Sequence, residues 1–405
     1  MRPMNPFTTT QRNLRVPGNR LLHAPGPTHL HRAVIEAMSR QPLDHGDPRL
    51  PELVANCEQG LKTLLNQHDG HVFMYATNGH GAWEAAHANM LAAGDTVLIP
   101  GTGHFSESWA IQTEALGAKV VRTPWLAGLP LDPQVIQAAL EADAAHTIKA
   151  VLTVHTDTAS GITNDLAAIR AAMDAAAHPA LFVVDVVASL GVTPFDMQVL
   201  RANVVIGASQ KGLMCTPGLG FCAVDTHALD LSRSNPNPRF YWDWVRRTGE
   251  HTYQKFCGTA PQNLLMGMEA AFEEIASEGL EQVYARHRRI SGAVHAAVAC
   301  WSQQGQFGFF SQVASARSHS VTAIKVAPGI DVEALRTLAR ERFQVAFAGG
   351  LGTLTGKLFR IGHLGDINEA MIMGCLGGIE AAMRVQGLAF DSGLSAAANS
   401  LSQAA

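Results

Sequence analysis

The sequence predicts an α/β protein with a large, doubly wound, mostly parallel sheet domain and a smaller C-terminal α+β domain. Three observations predict it. Short apolar runs alternate with helical patterns from about residue 28 to about 275, the succession that builds βαβ units. Two of those runs, Ala180-Leu181-Phe182-Val183-Val184 and Val204-Val205-Ile206-Gly207-Ala208, carry no polar side chain, as strands buried on both faces do. After the helical stretch 264–277 the order changes to strands and helices in a shorter, mixed succession, which suggests a second domain.

In chain order, a polar arm occupies 1–20. Helical patterns over 28–38 and 50–65 lead into a strand at 72–76 and a helix at 81–93. Strands are expected at 95–100, 119–122, 148–154, 181–185 and 204–208, separated by helices over 106–116, 132–144 and 164–177. The Pro/Asn-rich stretch 232–239 reads as a surface loop. Beyond 277, a long helix over 280–301 has its apolar residues at helical spacing. Strands at 320–326, 344–347 and 357–361 follow, with helices at 331–341 and 367–384. These boundaries divide the chain into the arm, a large domain over 21–277, a small domain over 278–391 and an Ala/Ser-rich tail, 392–405, expected to be poorly ordered.

Composition narrows the function classes. At 405 residues with 47% hydrophobic and 16% charged residues, the chain can bury ample core. Its net charge of −4 and lack of a long Lys/Arg run argue against nucleic-acid and membrane-surface binding. The six scattered cysteines form no CxxC pair, which argues for reduced thiols and against a disulfide framework or a zinc site. The 18 histidines show no metal-ligand spacing, so no metal is expected. No stretch approaches a transmembrane span and no apolar leader is evident, which makes cytoplasm the expected compartment.

The chemistry concentrates at strand ends. Ser209-Gln210-Lys211-Gly212 follows one buried run, and Asp185 closes the other, 26 positions earlier. Open α/β sheets bind ligands at the carboxyl ends of their strands, and a lysine there is desolvated toward the neutral amine that attacks an aldehyde. The pair reads as a lysine forming a Schiff base with pyridoxal phosphate and an aspartate holding its ring nitrogen; a surface lysine and a helix-capping aspartate would look the same in isolation. Between a strand and a helix lies Thr77-Asn78-Gly79-His80-Gly81-Ala82-Trp83-Glu84, where small residues let backbone N–H groups approach a phosphate, although a glycine pair is also an ordinary turn. His155-Thr156-Asp157-Thr158-Ala159-Ser160-Gly161 ends another strand and brings hydroxyls and a carboxylate to the same edge, or caps a helix.

With these stretches in order, the chain resembles the class V aminotransferases of fold type I, and within them the alanine/serine/aspartate–glyoxylate group. The likeness runs from Ala24-Pro25-Gly26-Pro27-Thr28 and Asp44-His45-Gly46-Asp47-Pro48 to Lys357-Leu358-Phe359-Arg360-Ile361-Gly362-His363-Leu364-Gly365. The resemblance implies pyridoxal 5'-phosphate carried by Lys211, which also moves the substrate's proton, with Asp185 at the ring nitrogen. It implies Val187 against one ring face and Phe105 on the other, with His104 the alternative should the register slip by one. It implies Thr158 at the phenolic oxygen, and Gly79, His80 and Gln210 around the phosphate. Thr259 would reach the phosphate of a partner subunit, which makes the expected enzyme a homodimer. Arg360 would grip the α-carboxylate of small amino and keto acids as a planar fork, close to Gly26 and Pro27.

The implied reaction is ping-pong transfer of an amino group from a serine-, alanine- or aspartate-type donor to glyoxylate or pyruvate. The sequence departs from the group at Phe256-Cys257-Gly258-Thr259-Ala260-Pro261, where an aromatic hydroxyl is lost; Phe256 is therefore a substrate-pocket candidate, and Gly258 leaves room for a bulkier amine donor. The stretch Gly365-Asp366-Ile367-Asn368-Glu369 leans toward serine–glyoxylate enzymes, whereas aspartate at 157 leans toward relatives using pyruvate. Two rivals stand beside this reading: a cysteine desulfurase or related lyase, for which Cys257 is the one cysteine near the expected site, and a non-catalytic regulator that kept the fold.

Overall fold

A computed structural model of the chain describes residues 18–403. Its larger sheet has seven strands in the order His71–Ala76, Leu219–Val224, Val204–Ala208, Leu181–Asp185, Ile148–Val154, Thr96–Ile99 and Lys119–Arg122. All run parallel except Leu219–Val224, which pairs antiparallel with both its neighbours. Alternate residues of the central strands feed opposite cores. Val151, Phe182, Val184 and Val205 belong to one cluster; Leu152, Val183, Val204 and Ile206 belong to the other. That two-sided burial is why the runs 181–184 and 204–208 carry no polar side chains. Leu219–Val224 escaped the sequence reading although all six of its residues are buried, because it is too short to show a period.

Helices cover both faces. Arg49–Leu65 and Gln262–Glu278 contribute Leu61, Leu65, Leu265 and Ile275 to the first core, and Gly79–Met90 and His104–Ala115 contribute Trp83 and Trp109 to the second. The expected 28–38 helix forms over Arg32–Met38, where the His31 ring caps it by accepting from Ala33 N at 3.3 Å. Short helices at Thr226–Ser234, Trp244–Arg247 and Thr252–Phe256 were not expected from the sequence, and the first takes in the start of the 232–239 loop.

The smaller sheet has five strands, in the order Leu21–His23, Val345–Gly349, Leu358–Gly362, Val321–Val326 and Phe307–Phe309. Its helices Leu280–Trp301, Val332–Arg342 and Glu369–Val385 pack into one core with Ile324, Phe359 and Ile361. The strand at its edge corrects one expectation. Leu21–His23 pairs with Val345–Gly349 and so belongs to this sheet and not to the 21–277 domain in which the sequence placed it. The 1–20 arm lies outside the described residues as far as residue 17.

The tail also differs from expectation. Instead of being poorly ordered, it forms the helix Leu394–Gln403, with Ala397 fully buried. The reason is one buried carboxylate. Glu380 is 2% exposed; its Oε1 accepts from Trp301 Nε1 at 2.9 Å and from Gly393 N at 2.7 Å, and its Oε2 accepts from Ser392 Oγ at 2.6 Å. Replacing Glu380 with Ala strands three donors, and urea unfolding is expected to show a loss of about 3 kcal/mol. A loss below about 0.5 kcal/mol, the range of ordinary surface changes, would remove this account of the tail.

Candidate active site

The site grows from the carboxyl ends of the central strands. Asp185 is the last residue of its strand and pairs in register with Val154 on one side and Ile206 on the other. Its side chain is held twice: Oδ1 accepts from Val187 N at 2.8 Å and Oδ2 accepts from Trp83 Nε1 at 2.6 Å. Burial pushes its carboxyl up to about 7, against the pull of those two hydrogen bonds. Lys211 lies in the turn after the next strand, and its Nζ donates to Pro25 O. Burial, then the nearby Arg360 charge, lowers its amine to about 8, while Asp185 and Asp157 pull the other way. A Cβ at Gly26, whose φ is +97°, would overlap the Lys211 side chain, so this crossing requires glycine.

Around these two groups is a cavity of about 260 Å³. It brings Gly26, Gly79, His80, Phe105, Thr158, Val187 and Gln210 together with Asp185 and Lys211. Gly79 and His80 open the helix Gly79–Met90, where Asn78 Oδ1 accepts from Gly81 N at 3.3 Å and the first two N–H groups have no intrahelical acceptor. Gln210 Oε1 is buried with no partner among the described residues. Phe105 faces this cavity, whereas His104 faces a neighbouring one of about 350 Å³ across the Gly103–Ser106 turn. Asp157 fixes that turn: its Oδ2 accepts from Phe105 N at 2.8 Å and its Oδ1 from Ala159 N at 2.8 Å, and burial raises its carboxyl.

Arg360 arrives from the smaller sheet, just behind Thr158. Its Nε donates to Gly349 O at 2.7 Å and its Nη1 to Thr158 O at 2.9 Å. It is 5% exposed and makes no ion pair among the described residues, with its second terminal nitrogen free of hydrogen bonds. Burial lowers it to about 10. The buried Asp157 carboxylate favours its charge without bonding it directly, so the guanidinium keeps the capacity to take a directly bonded anion.

Such an arrangement has known counterparts. The family model for aminotransferase class V matches residues 21–362. The chain belongs to the class-V aminotransferase family. A serine–glyoxylate aminotransferase of Methylorubrum extorquens is 37% identical to it, over 95% of this chain and 96% of that one. Two solved structures share its fold at 25% identity. Ureidoglycine–glyoxylate aminotransferase from Bacillus subtilis has a TM-score of 0.88, covering 96% of this chain and 100% of that one. Pyridoxamine–pyruvate aminotransferase from Mesorhizobium loti has a TM-score of 0.87, covering 96% and 98%.

Within this class-V chain, three of the expected site residues do not line the cavity: Arg360, which touches its wall at Thr158 O, Phe256, and Thr259, which was expected at a partner subunit. Phe256 is 3% exposed and packs into the main core, because the Thr252–Phe256 helix turns it inward; it does not line the cavity of its own chain. Thr259 is exposed and also lies off that cavity. Trp83 was missed as a site residue. Its signal was its spacing, since it sits four positions after Gly79 on one helix and therefore on the same face. No cysteine lines the cavity, and burial raises the thiols of Cys57, Cys215, Cys222 and Cys375, with Cys215 pushed up to about 11.

The lowered Lys211 makes a pH prediction. An amine attacks only when unprotonated, so its reactivity rises with pH through its pKa, and lowering that pKa moves the rise downward. In the cofactor-free protein, labelling of Lys211 by a small aldehyde with borohydride trapping is expected to rise with a midpoint near 8. A midpoint near the ordinary lysine value of about 10.4 would contradict the burial described here.

Proposed function

We propose that this protein is a pyridoxal-phosphate-dependent aminotransferase that moves the amino group of a small amino acid to glyoxylate. The observation that carries the reading is that Lys211 and Asp185 line one small cavity, with the buried Arg360 bonded to the carbonyl of Thr158 in that cavity's wall. The residues present fit the cofactor. The open amide N–H groups at Gly79 and His80 suit a phosphate at a helix N-terminus, and Gln210, which lines the same cavity, carries an amide NH2 that could donate beside them.

When bound, pyridoxal phosphate supplies an aldehyde that accepts and returns the amino group, and a protonated ring that withdraws electrons from the carbon losing its proton. The chain supplies the rest. Asp185, already accepting two hydrogen bonds, is assigned to keep the ring nitrogen protonated when it is in its anionic form. Val187 and Phe105 would lie against the two ring faces, and the Thr158 hydroxyl would donate to the phenolic oxygen. The Lys211 Nζ, brought down to about 8 by burial, is the base that would move the proton at the substrate's Cα. Arg360 holds the α-carboxylate of donor and acceptor in turn, with the Gly26–Pro27 backbone alongside, so one clamp serves both halves of a ping-pong cycle. The Thr158 carbonyl, which accepts from Arg360, fixes the spacing between that clamp and the cofactor position.

Thr259 is assigned to the phosphate of a partner subunit in a homodimer. Its exposure on its own subunit supports this, as do the exposed Phe240 and Tyr253 (63% and 64%) on the same segment. All six cysteines are unpaired, which supports the cytoplasm as its compartment. No described helix is long and apolar enough to cross a membrane.

Serine is the first donor to test, because the relative that uses it matches nearly the full chain. A bulkier donor with pyruvate as acceptor is the second reading, favoured by the likeness to the pyridoxamine–pyruvate enzyme. The visible spectrum of the purified protein is measured before and after separate additions of serine, alanine and aspartate. Bleaching of the cofactor band by one of them, restored by glyoxylate, is the expected result. A band that no small amino acid bleaches, but that pyridoxamine bleaches and pyruvate restores, would select the second reading. Lys211→Ala is expected to abolish turnover, and completed catalytic cycles in that variant would refute the role of this lysine. Arg360→Ala is expected to lose about 2–4 kcal/mol in kcat/KM, about 30- to 1,000-fold, by steady-state kinetics.

A further inference from the structure

The conspicuous unassigned group at the site is the Trp83 indole. It lines the cavity, and its ring is locked from behind by Trp109, stacked at 5.0 Å between centroids with a 9° interplanar angle. Trp109 is itself 2% exposed, so Trp83 has little freedom to swing. From that fixed position its Nε1–H meets Asp185 Oδ2 at 2.6 Å, the shorter of the two hydrogen bonds this carboxylate accepts from the protein. The other, from Val187 N, comes from the chain's own turn two residues on and is part of the local backbone path.

We propose that Trp83 is the positioning residue for Asp185, aiming one carboxylate oxygen at the cofactor's ring nitrogen and holding the group as an acceptor. The assignment rests on the cofactor reading above. The physical argument is one of competing charges in a dry site. Asp185 is surrounded by apolar strand residues, and the charged groups facing it oppose each other: Asp157 disfavours its anion and Lys211 favours it. Arg360 acts on Lys211 and lies beside Asp157. Burial outweighs these and brings the carboxyl up to about 7, where a protonated acid could no longer hold a protonated ring nitrogen. Every donor aimed at the carboxylate therefore matters, and Trp83 is the one supplied by a different helix. An indole brings a donor with no acceptor of its own, so it cannot take the proton it is there to keep off Asp185.

Three outcomes follow for the full-length chain. Trp83→Phe is expected to weaken binding of pyridoxal phosphate to the cofactor-free protein by about tenfold, with the loss growing as pH falls toward 7. In an Asp185→Asn background the same substitution is expected to change affinity by less than about twofold, because a residue acting through Asp185 has nothing left to act on. An equal loss in both backgrounds would overturn the proposal in favour of a merely structural role for the indole. Should Trp83→Phe fail to fold, unmutated and Asp185→Asn proteins labelled with 15N-tryptophan still decide it. One of the six indole N–H resonances is expected to move upfield when its carboxylate acceptor becomes an amide. Six unmoved resonances would overturn the pairing. Failure of the unmutated protein to bind pyridoxal phosphate would instead sink the cofactor reading, and the indole shift, which needs no cofactor, separates the two.

Discussion

The rest of the site depends on four ionisable groups kept out of water beside one another. Lys211, Asp185, Asp157 and Arg360 are largely or wholly buried, and none is paired in a closed ion pair with another. Each is held mainly by backbone: Lys211 by Pro25 O, Asp157 by two amides, Arg360 by two carbonyls, and Asp185 by one amide and one indole. Backbone dipoles hold a charge without cancelling it. The charges remain available to a ligand, and burial holds all four away from their ordinary titration values.

That arrangement requires two sheets. Asp185 and Lys211 follow adjacent parallel strands of the larger sheet, whereas Arg360 lies within a strand of the smaller one and Pro25 follows another. The seam is made of specific contacts. Arg360 reaches across to Thr158 O, Ser318 N donates to Gly161 O at 3.0 Å, and Ser320 Oγ donates to Ala188 O. A substrate carboxylate and a ring cofactor could be held at the same seam because each sheet brings one half of the recognition.

The seam also explains which residues were legible. Lys211 and Asp185 stand out because they end apolar runs, and burial on both faces of a sheet leaves a charged residue there conspicuous. Gly79 and His80 stand out because a helix N-terminus has a compositional signature. Trp83 did not, since a tryptophan on an apolar helix face looks like core and is in fact half core, stacked on Trp109. Phe256 was misplaced for the converse reason: its sequence neighbours place it near the site, but the packing of a five-residue helix turns it into the main core. The tail read as disordered because Ala and Ser carry little hydrophobic signal, while its order comes from Glu380, a dozen residues earlier, and from the long helix it covers.

By itself the sequence determined the order of the elements, the buried runs of the central sheet and the identity of the lysine and aspartate at its edge. These depend on periodicity, composition and adjacency along the chain. Only the tertiary structure decided that Leu21–His23 joins the far sheet, that Phe105 and not His104 faces the cavity, that Arg360 reaches Thr158 O, and that Trp83 holds Asp185. Each is a contact between residues from about 50 to more than 300 positions apart, or the choice of one face over another by a single residue of register. Such contacts are set by the packing of whole elements, and no local pattern in the chain encodes them.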